Sequence, residues 1–213
     1  LAVGESVTVA KTVTISAGAP TDALIDAYFL IDTSGSMGGV INAAKAAAGD
    51  IFTTIATEFG AGVAGGVGVF SEAAALPGAI SPPGSVINQD VTTNVSNVIT
   101  AINAITLGVP DGGGDEPESA NTAIELVAEN ASWRPGSNRF IFAFSDASSK
   151  GSPDADVIAA LEAEGIKLVS LDFGGGRFTT SMAELGAITF SSSATPGAIV
   201  DNVTAGIVEG FSE

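Results

Sequence analysis

From Ile25 onward the chain alternates short apolar runs with longer amphipathic stretches, and no other property restricts the fold as much. Residues 28–31, 62–70, 139–145 and 167–173 read as strands, and 41–58, 91–105, 118–131, 153–164 and 197–209 as helices. Strands that are apolar on both faces and separated by helices belong to a mostly parallel sheet covered on both sides. The expected fold class is therefore α/β: a doubly wound, Rossmann-like, mostly parallel central sheet with helices on both faces. In such sheets ligands sit outside the carboxyl ends of the strands. Asp32 and the pair Ser145-Asp146 both fall at such ends.

Residues 5–16 follow a different rule, alternating apolar and polar side chains with many β-branched ones, the pattern of a half-buried strand. Gly18-Ala19-Pro20 then interrupts it. The expected division is an N-terminal β extension or linker over 1–21 and one main domain over 22–213. With 46% apolar residues in 213, that domain can bury a large core. No run approaches the roughly 18 uninterrupted apolar residues of a membrane helix. Leu1-Ala2-Val3-Gly4 lacks the basic start of a signal peptide, and the segment reads as a piece of a longer, multidomain chain. The Pro- and Gly-rich stretch 71–90 reads as a hairpin or long loop near the same rim. The glycines between Gly60 and Gly68 fall inside a strand pattern instead of following one into a helix, which argues against a dinucleotide site. Gly174-Gly175-Gly176 reads as a turn.

The segment Asp32-Thr33-Ser34-Gly35-Ser36 closes the first strand of this pattern. Such a D-x-S-x-S turn puts one carboxylate and two hydroxyls where their oxygens can converge on one hard divalent cation. Mg²⁺ wants near-octahedral oxygen coordination and keeps several waters. A single aspartate under-neutralises it, so the ion would welcome a carboxylate from outside. The same string also suits a plain polar turn in which Asp32 caps the next helix.

Composition closes other routes. The chain holds no histidine and no cysteine, which excludes zinc sites, Cys or His nucleophile pairs and Ser-His-Asp triads. The same lack removes the base that a nucleophile-elbow reading of Ser34-Gly35-Ser36 needs. Haloacid-type phosphatases want a second aspartate two residues after the first, and position 34 is serine. Lys and Arg number 7 against 24 Asp and Glu, for a net charge of −17, which repels nucleic acid and anionic lipid and concentrates divalent cations. That balance suits a protein working outside the cell. Three Asn-x-Ser/Thr sequons, at Asn94, Asn130 and Asn202, are expected by chance in so Ser-, Thr- and Asn-rich a chain.

A second acidic constellation, Gly112-Gly113-Gly114-Asp115-Glu116-Pro117-Glu118, precedes the helix that starts near Ser119. Its clustered carboxylates repel one another unless a cation or a helix N-terminus stabilises them. Ser145-Asp146 is the third oxygen source.

From about Asp22 to Glu213 the chain resembles the von Willebrand factor type A superfamily. The resemblance rests on Asp32-Thr33-Ser34-Gly35-Ser36-Met37, Asp115-Glu116-Pro117-Glu118 and Phe144-Ser145-Asp146-Ala147. It implies a metal-ion-dependent adhesion site with Asp32, Ser34 and Ser36 as its first loop and Asp146 acting through water. The middle loop looks more like the integrin β-subunit version, with its D-x-P-E string, than like the threonine form. The threonine form has that residue before an N-T-A string, and here Ala120 stands before Asn121-Thr122-Ala123 and offers no oxygen. The resemblance then implies that Glu118 faces the metal, and that Asp115, the Pro117 carbonyl and Glu118 hold a second cation, Ca²⁺. The asparagine the family places two residues before that aspartate is Gly113 here. A further adjacent site of β-subunits needs an acidic pair where this chain has Gly39-Val40, so that site is expected to be absent.

The functional expectation is an extracellular or cell-surface adhesion module, not an enzyme. In it a divalent cation, Mg²⁺ ahead of Mn²⁺ or Ca²⁺, accepts an Asp or Glu carboxylate from a protein partner, with no nucleic acid bound and no membrane insertion. The main alternative is a secreted domain whose metal only stabilises its loops. A metal-assisted hydrolase is a weaker rival for want of a second tight carboxylate pair.

Overall fold

A computed structural model describes residues 23–60, 62–72, 85–109 and 116–212. The strand expected over 5–16, Asp115 and the three glycines before it lie outside the described residues.

Strand β1 (Leu24–Asp32) is buried along nearly its whole length. It has to be, because it pairs in parallel with β2 (Gly62–Phe70) on one side and β4 (Asn138–Ser145) on the other. The full order is β3-β2-β1-β4-β5-β6, with β3 (Ser85–Thr92) antiparallel to β2, and β5 (Ile166–Asp172) and β6 (Ile188–Ser191) extending the parallel part.

Odd and even residues of β1 face opposite sides, as a strand requires. Ile25, Ala27, Phe29 and Ile31 enter the core shared with α1 (Gly38–Phe59), α2 (Val95–Ala104) and α6 (Pro196–Gly210). Tyr28 and Leu30 enter the core shared with α3 (Ala120–Asn130), α4 (Asp154–Glu164) and α5 (Arg177–Glu184). The doubly covered, mostly parallel α/β sheet expected from the sequence is what forms. The glycines that thin β2 make room for rings: a Cβ on Gly65 would sit 2.6 Å from the Phe52 ring, and one on Gly66 2.5 Å from Tyr28. No helix among the described residues is long and apolar enough to cross a membrane.

Of the two forms expected for 71–90, the hairpin is what the described residues show: 85–90 belong to β3, which pairs antiparallel with β2. Two local expectations need correction. The helix expected over 91–105 is only Val95–Ala104, since Val91 and Thr92 still pair along the sheet edge. β-Branched residues before a helix suit either state, and edge pairing decides. Between 173 and 197, where the sequence suggests only a turn, lie α5 and β6. The first is eight residues long and presents only Phe178 and Met182 to the core, and the second is four residues long, so both are too short to be legible.

Candidate metal centre

Because β1, β2, β4 and β5 run parallel, their carboxyl ends reach one rim. There Asp32 stands level with Phe70, and Ser145 with Asp172. Asp32 is fully buried. Its Oδ1 accepts the Ser34 backbone N–H at 2.7 Å and its Oδ2 accepts the Ser145 hydroxyl at 2.6 Å. No ion pair among the described residues involves it. Burial therefore dominates and pushes its pKa up to about 6, opposed by the hydrogen bonds from Ser145 and Ser34 and aided by the Asp146 charge. The helix-capping alternative fails, since neither the 3₁₀ turn Gly35–Met37 nor α1 has a side-chain cap.

Thr33, the unremarked x of the motif, fastens the turn. Its N–H donates to the Phe70 carbonyl at 2.9 Å, and its hydroxyl lies 2.5 Å from the Val109 carbonyl and 3.1 Å from that of Phe70. Gly108 N–H returns a bond to the Thr33 carbonyl at 2.7 Å. Ser34 is 4% exposed, and its hydroxyl approaches the Asp32 carboxylate, helping to hold down that group's pKa, but makes no hydrogen bond of good geometry. Ser36 is exposed, and its hydroxyl donates to Asp146 Oδ1 at 2.9 Å. Glycine at 174 lets the loop after β5 lie against Asp146, because a Cβ there would fall 1.9 Å from the Asp146 carbonyl oxygen.

Glu118 is 2% exposed. Its N–H donates to the Ser148 carbonyl and its carbonyl accepts Lys150 N–H, forming a short parallel bridge to Ser149. The next residue, Ser119, donates its N–H to the Ser71 carbonyl at 3.0 Å. Glu118 is thus held between the segments that leave β2 and β4, the two neighbours of β1. Pro117 is half-buried after a cis peptide bond, and Glu116 reaches outward to Arg177 at 2.7 Å.

The structure pairs Asp32 with Ser34 and Ser145, and Ser36 with Asp146, at one rim, and fastens Glu118 to the same rim. Asp115 is outside the described residues, so no geometry joins it to Pro117 and Glu118. Among the described residues no three acidic, histidine or cysteine side chains cluster as a metal cage. Any cation here must lean on hydroxyls. The donor set fits that need: a buried carboxylate without a cationic partner among the described residues stands beside a buried hydroxyl that makes no well-formed hydrogen bond, and both are oxygens. Reasoning from sequence missed the work of Thr33 and the direct bond from Ser145 to Asp32. A hydroxyl next to an aspartate gives no signal of which way it points.

The sequence profile of the von Willebrand factor type A domain matches residues 26–205. Among curated proteins, none matches the chain in sequence. Solved structures share its fold. An aerotolerance-related membrane protein from Bacteroides fragilis, in a form with multiple mutations to serine, is 13% identical with a TM-score of 0.63, over 87% of this chain and 99% of its own. Proximal thread matrix protein 1 of the mussel byssus is 17% identical with a TM-score of 0.64, over 88% of this chain. The same mussel protein with a zinc-occupied MIDAS motif is 13% identical with a TM-score of 0.64, over 90% of this chain. This chain spans 47% of the mussel protein's length.

Proposed function

The chain belongs to the von Willebrand factor type A domain family, and from that premise we propose that it is a divalent-cation-dependent protein-binding module. Asp32, Ser34, Ser36 and Glu118 would hold the ion, with Asp146 fixing the Ser36 hydroxyl and Ser145 fixing the Asp32 carboxylate. The observation that carries the reading is a buried aspartate that no lysine or arginine meets among the described residues, beside the buried Ser34 hydroxyl, which makes no well-formed hydrogen bond of its own. A bound cation supplies a point of attachment for a partner's Asp or Glu carboxylate. Charge-assisted contacts of that kind are short and directional. This is binding without turnover.

Mg²⁺ is the first candidate, with Mn²⁺ and Ca²⁺ behind it. The zinc-occupied motif of the mussel protein adds Zn²⁺ to the ions worth testing. Lack of histidine and cysteine excludes zinc centres built on nitrogen and sulfur, not an oxygen site of this type. Asp115, the Pro117 carbonyl and Glu118 form the proposed second, Ca²⁺-holding site. The proposed unit is 22–213, carried in a longer chain behind the β extension 1–21, and acting outside the cell. The net charge of −17 supports that location, as do a membrane protein and a byssal matrix protein among the structures of like fold.

The test is thermal unfolding in EDTA and in each ion, for the wild type and Asp32→Ala. Saturation at a hundredfold excess over Kd adds about 2.7 kcal/mol. At a few degrees per kcal/mol for a domain this size, that is a rise on the order of 5–10 °C. The rise should vanish in Asp32→Ala; equal responses in both proteins would refute the site. Weakening of a partner's binding by free acetate would separate adhesion from a metal that only stabilises loops.

A further inference from the structure

A shallow groove of about 290 Å³ leads away from the metal loop, lined by Ile41, Asn42, Lys45, Ile105, Thr106 and Leu107. Its α1 wall is the stripe 38, 41, 42, 45, spaced as one face of a helix. It begins at Gly38, two residues past Ser36, where the Leu107 side chain lies close against the glycine. The opposite wall is the loop that Thr33 fastens through Gly108 and Val109. That loop carries two of the few large apolar side chains left in solvent, Leu107 at 44% and Val109 at 50% exposure. At the far end is Lys45. In a chain with 7 cationic residues against 24 acidic ones, Arg134, Arg139, Lys150 and Arg177 are each committed to a carboxylate. Lys45 forms no ion pair among the described residues, although it lines an open groove.

We propose that this groove docks an extended acidic segment of a partner protein: one carboxylate at the metal centre, an apolar side chain two residues on beside Leu107, and a second carboxylate four residues on at Lys45. The inference rests on the cation reading above and deepens it by specifying the ligand. Spacing supplies the register. Seven helical residues from Gly38 to Lys45 span about 10 Å, and the two residues from Ser36 to Gly38 add roughly 4 Å. An extended chain advances about 3.3 Å per residue, so four residues cover the distance. In that conformation residues i, i+2 and i+4 point to one side, which turns both acids and the apolar residue toward the same groove. Charge selects the occupant. The cation and Lys45 would place positive charge at both ends of the groove, on a chain whose net charge of −17 otherwise repels acids.

The experiment uses three fluorescent peptides in Mn²⁺: Gly-Asp-Ala-Leu-Ala-Glu-Gly, the same with Gln for Glu, and the same with Ala for Leu. They are titrated against wild type, Lys45→Gln and Leu107→Ser, with the Mn²⁺ thermal shift of each protein read in parallel. The Glu-to-Gln change should weaken binding to wild type by roughly fivefold, the scale of a partly exposed ion pair, and should make no difference to Lys45→Gln. The Leu-to-Ala change should weaken binding to wild type and lose its effect in Leu107→Ser. Equal losses in wild type and variants, or no binding by any peptide while the Mn²⁺ shift persists, would overturn the groove and leave the cation site standing. Absence of the Mn²⁺ shift from wild type would remove the cation reading itself, and the groove with it.

Discussion

Asp26 and Asp32 lie on one strand, on the same face, and each is fully buried, yet their surroundings could hardly differ more. At the amino end of the sheet the Asp26 carboxylate accepts Arg134 Nε at 2.5 Å, Arg134 N–H at 2.8 Å and the Ser137 hydroxyl at 2.8 Å. The same guanidinium donates to the Ile25 and Gly62 carbonyls, so it staples β1 to β2. At the carboxyl end Asp32 has two neutral donors and no cation among the described residues. One buried charge is complete within the fold and the other is not. A protein that needed Asp32 only for stability would have supplied it as it supplied Asp26, since an unpaired buried charge is expensive. The difference fits a structural role for one end of the sheet and supports the proposed external cation at the other.

The severest challenge to this contrast makes the two ends alike by removing the arginine. Arg134→Met should destabilise the domain by about 3–5 kcal/mol, the usual cost of stranding one partner of a buried pair. Denaturant unfolding would register it, and divalent ions should not restore the loss. Full rescue by Mg²⁺ would mean the amino end also takes a cation.

The next test neutralises the other aspartate. A carboxyl whose folded pKa is raised binds its proton more tightly folded than unfolded. Its stabilising contribution is therefore full below the unfolded value near 4 and is lost as pH rises through about 6. In EDTA at pH 7, Asp32→Asn should be more stable than wild type by about 2–3 kcal/mol, because raising the pKa from 3.8 to about 6 costs the charged form about 1.4 kcal/mol for each tenfold change in proton affinity. The gap should close below pH 4, and saturating metal should reverse it at neutral pH. A wild type that exceeds the Asn variant at pH 7 without metal would show that the fold already satisfies this charge.

The smallest effect refines the assignment. Ser34→Ala removes a hydroxyl that makes no well-formed hydrogen bond in the fold, so metal-free stability should change by less than about 1 kcal/mol. Metal affinity, read by calorimetric titration, should fall. A large loss of metal-free stability would point to a structural partner for that hydroxyl.

Much of this architecture is legible in the order of the amino acids. β1, β2, β4 and β5 announce themselves because strands buried on both faces must be continuously apolar, and the acidic rim follows because their carboxyl ends are marked by polar residues. The edge is not legible. β3 and β6 are each held by pairing with one neighbour, and α5 docks through two side chains, so the reason for each lies in a distant segment. At the site, the oxygen chemistry of Asp32, Ser34 and Ser36 can be read from spacing alone. That Ser145 reaches across 113 positions to Asp32, or Ser36 across 110 to Asp146, cannot.

The local pattern alone therefore determined a doubly wound sheet and a first loop rich in hard oxygen donors, since apolar periodicity and a five-residue turn are short-range properties. Only the tertiary structure decided which of two equally buried aspartates would be left without a counter-charge among the described residues. Solvation and pairing of a carboxylate depend on which side chains the fold brings within about 3 Å, and Arg134 stands 108 positions from Asp26.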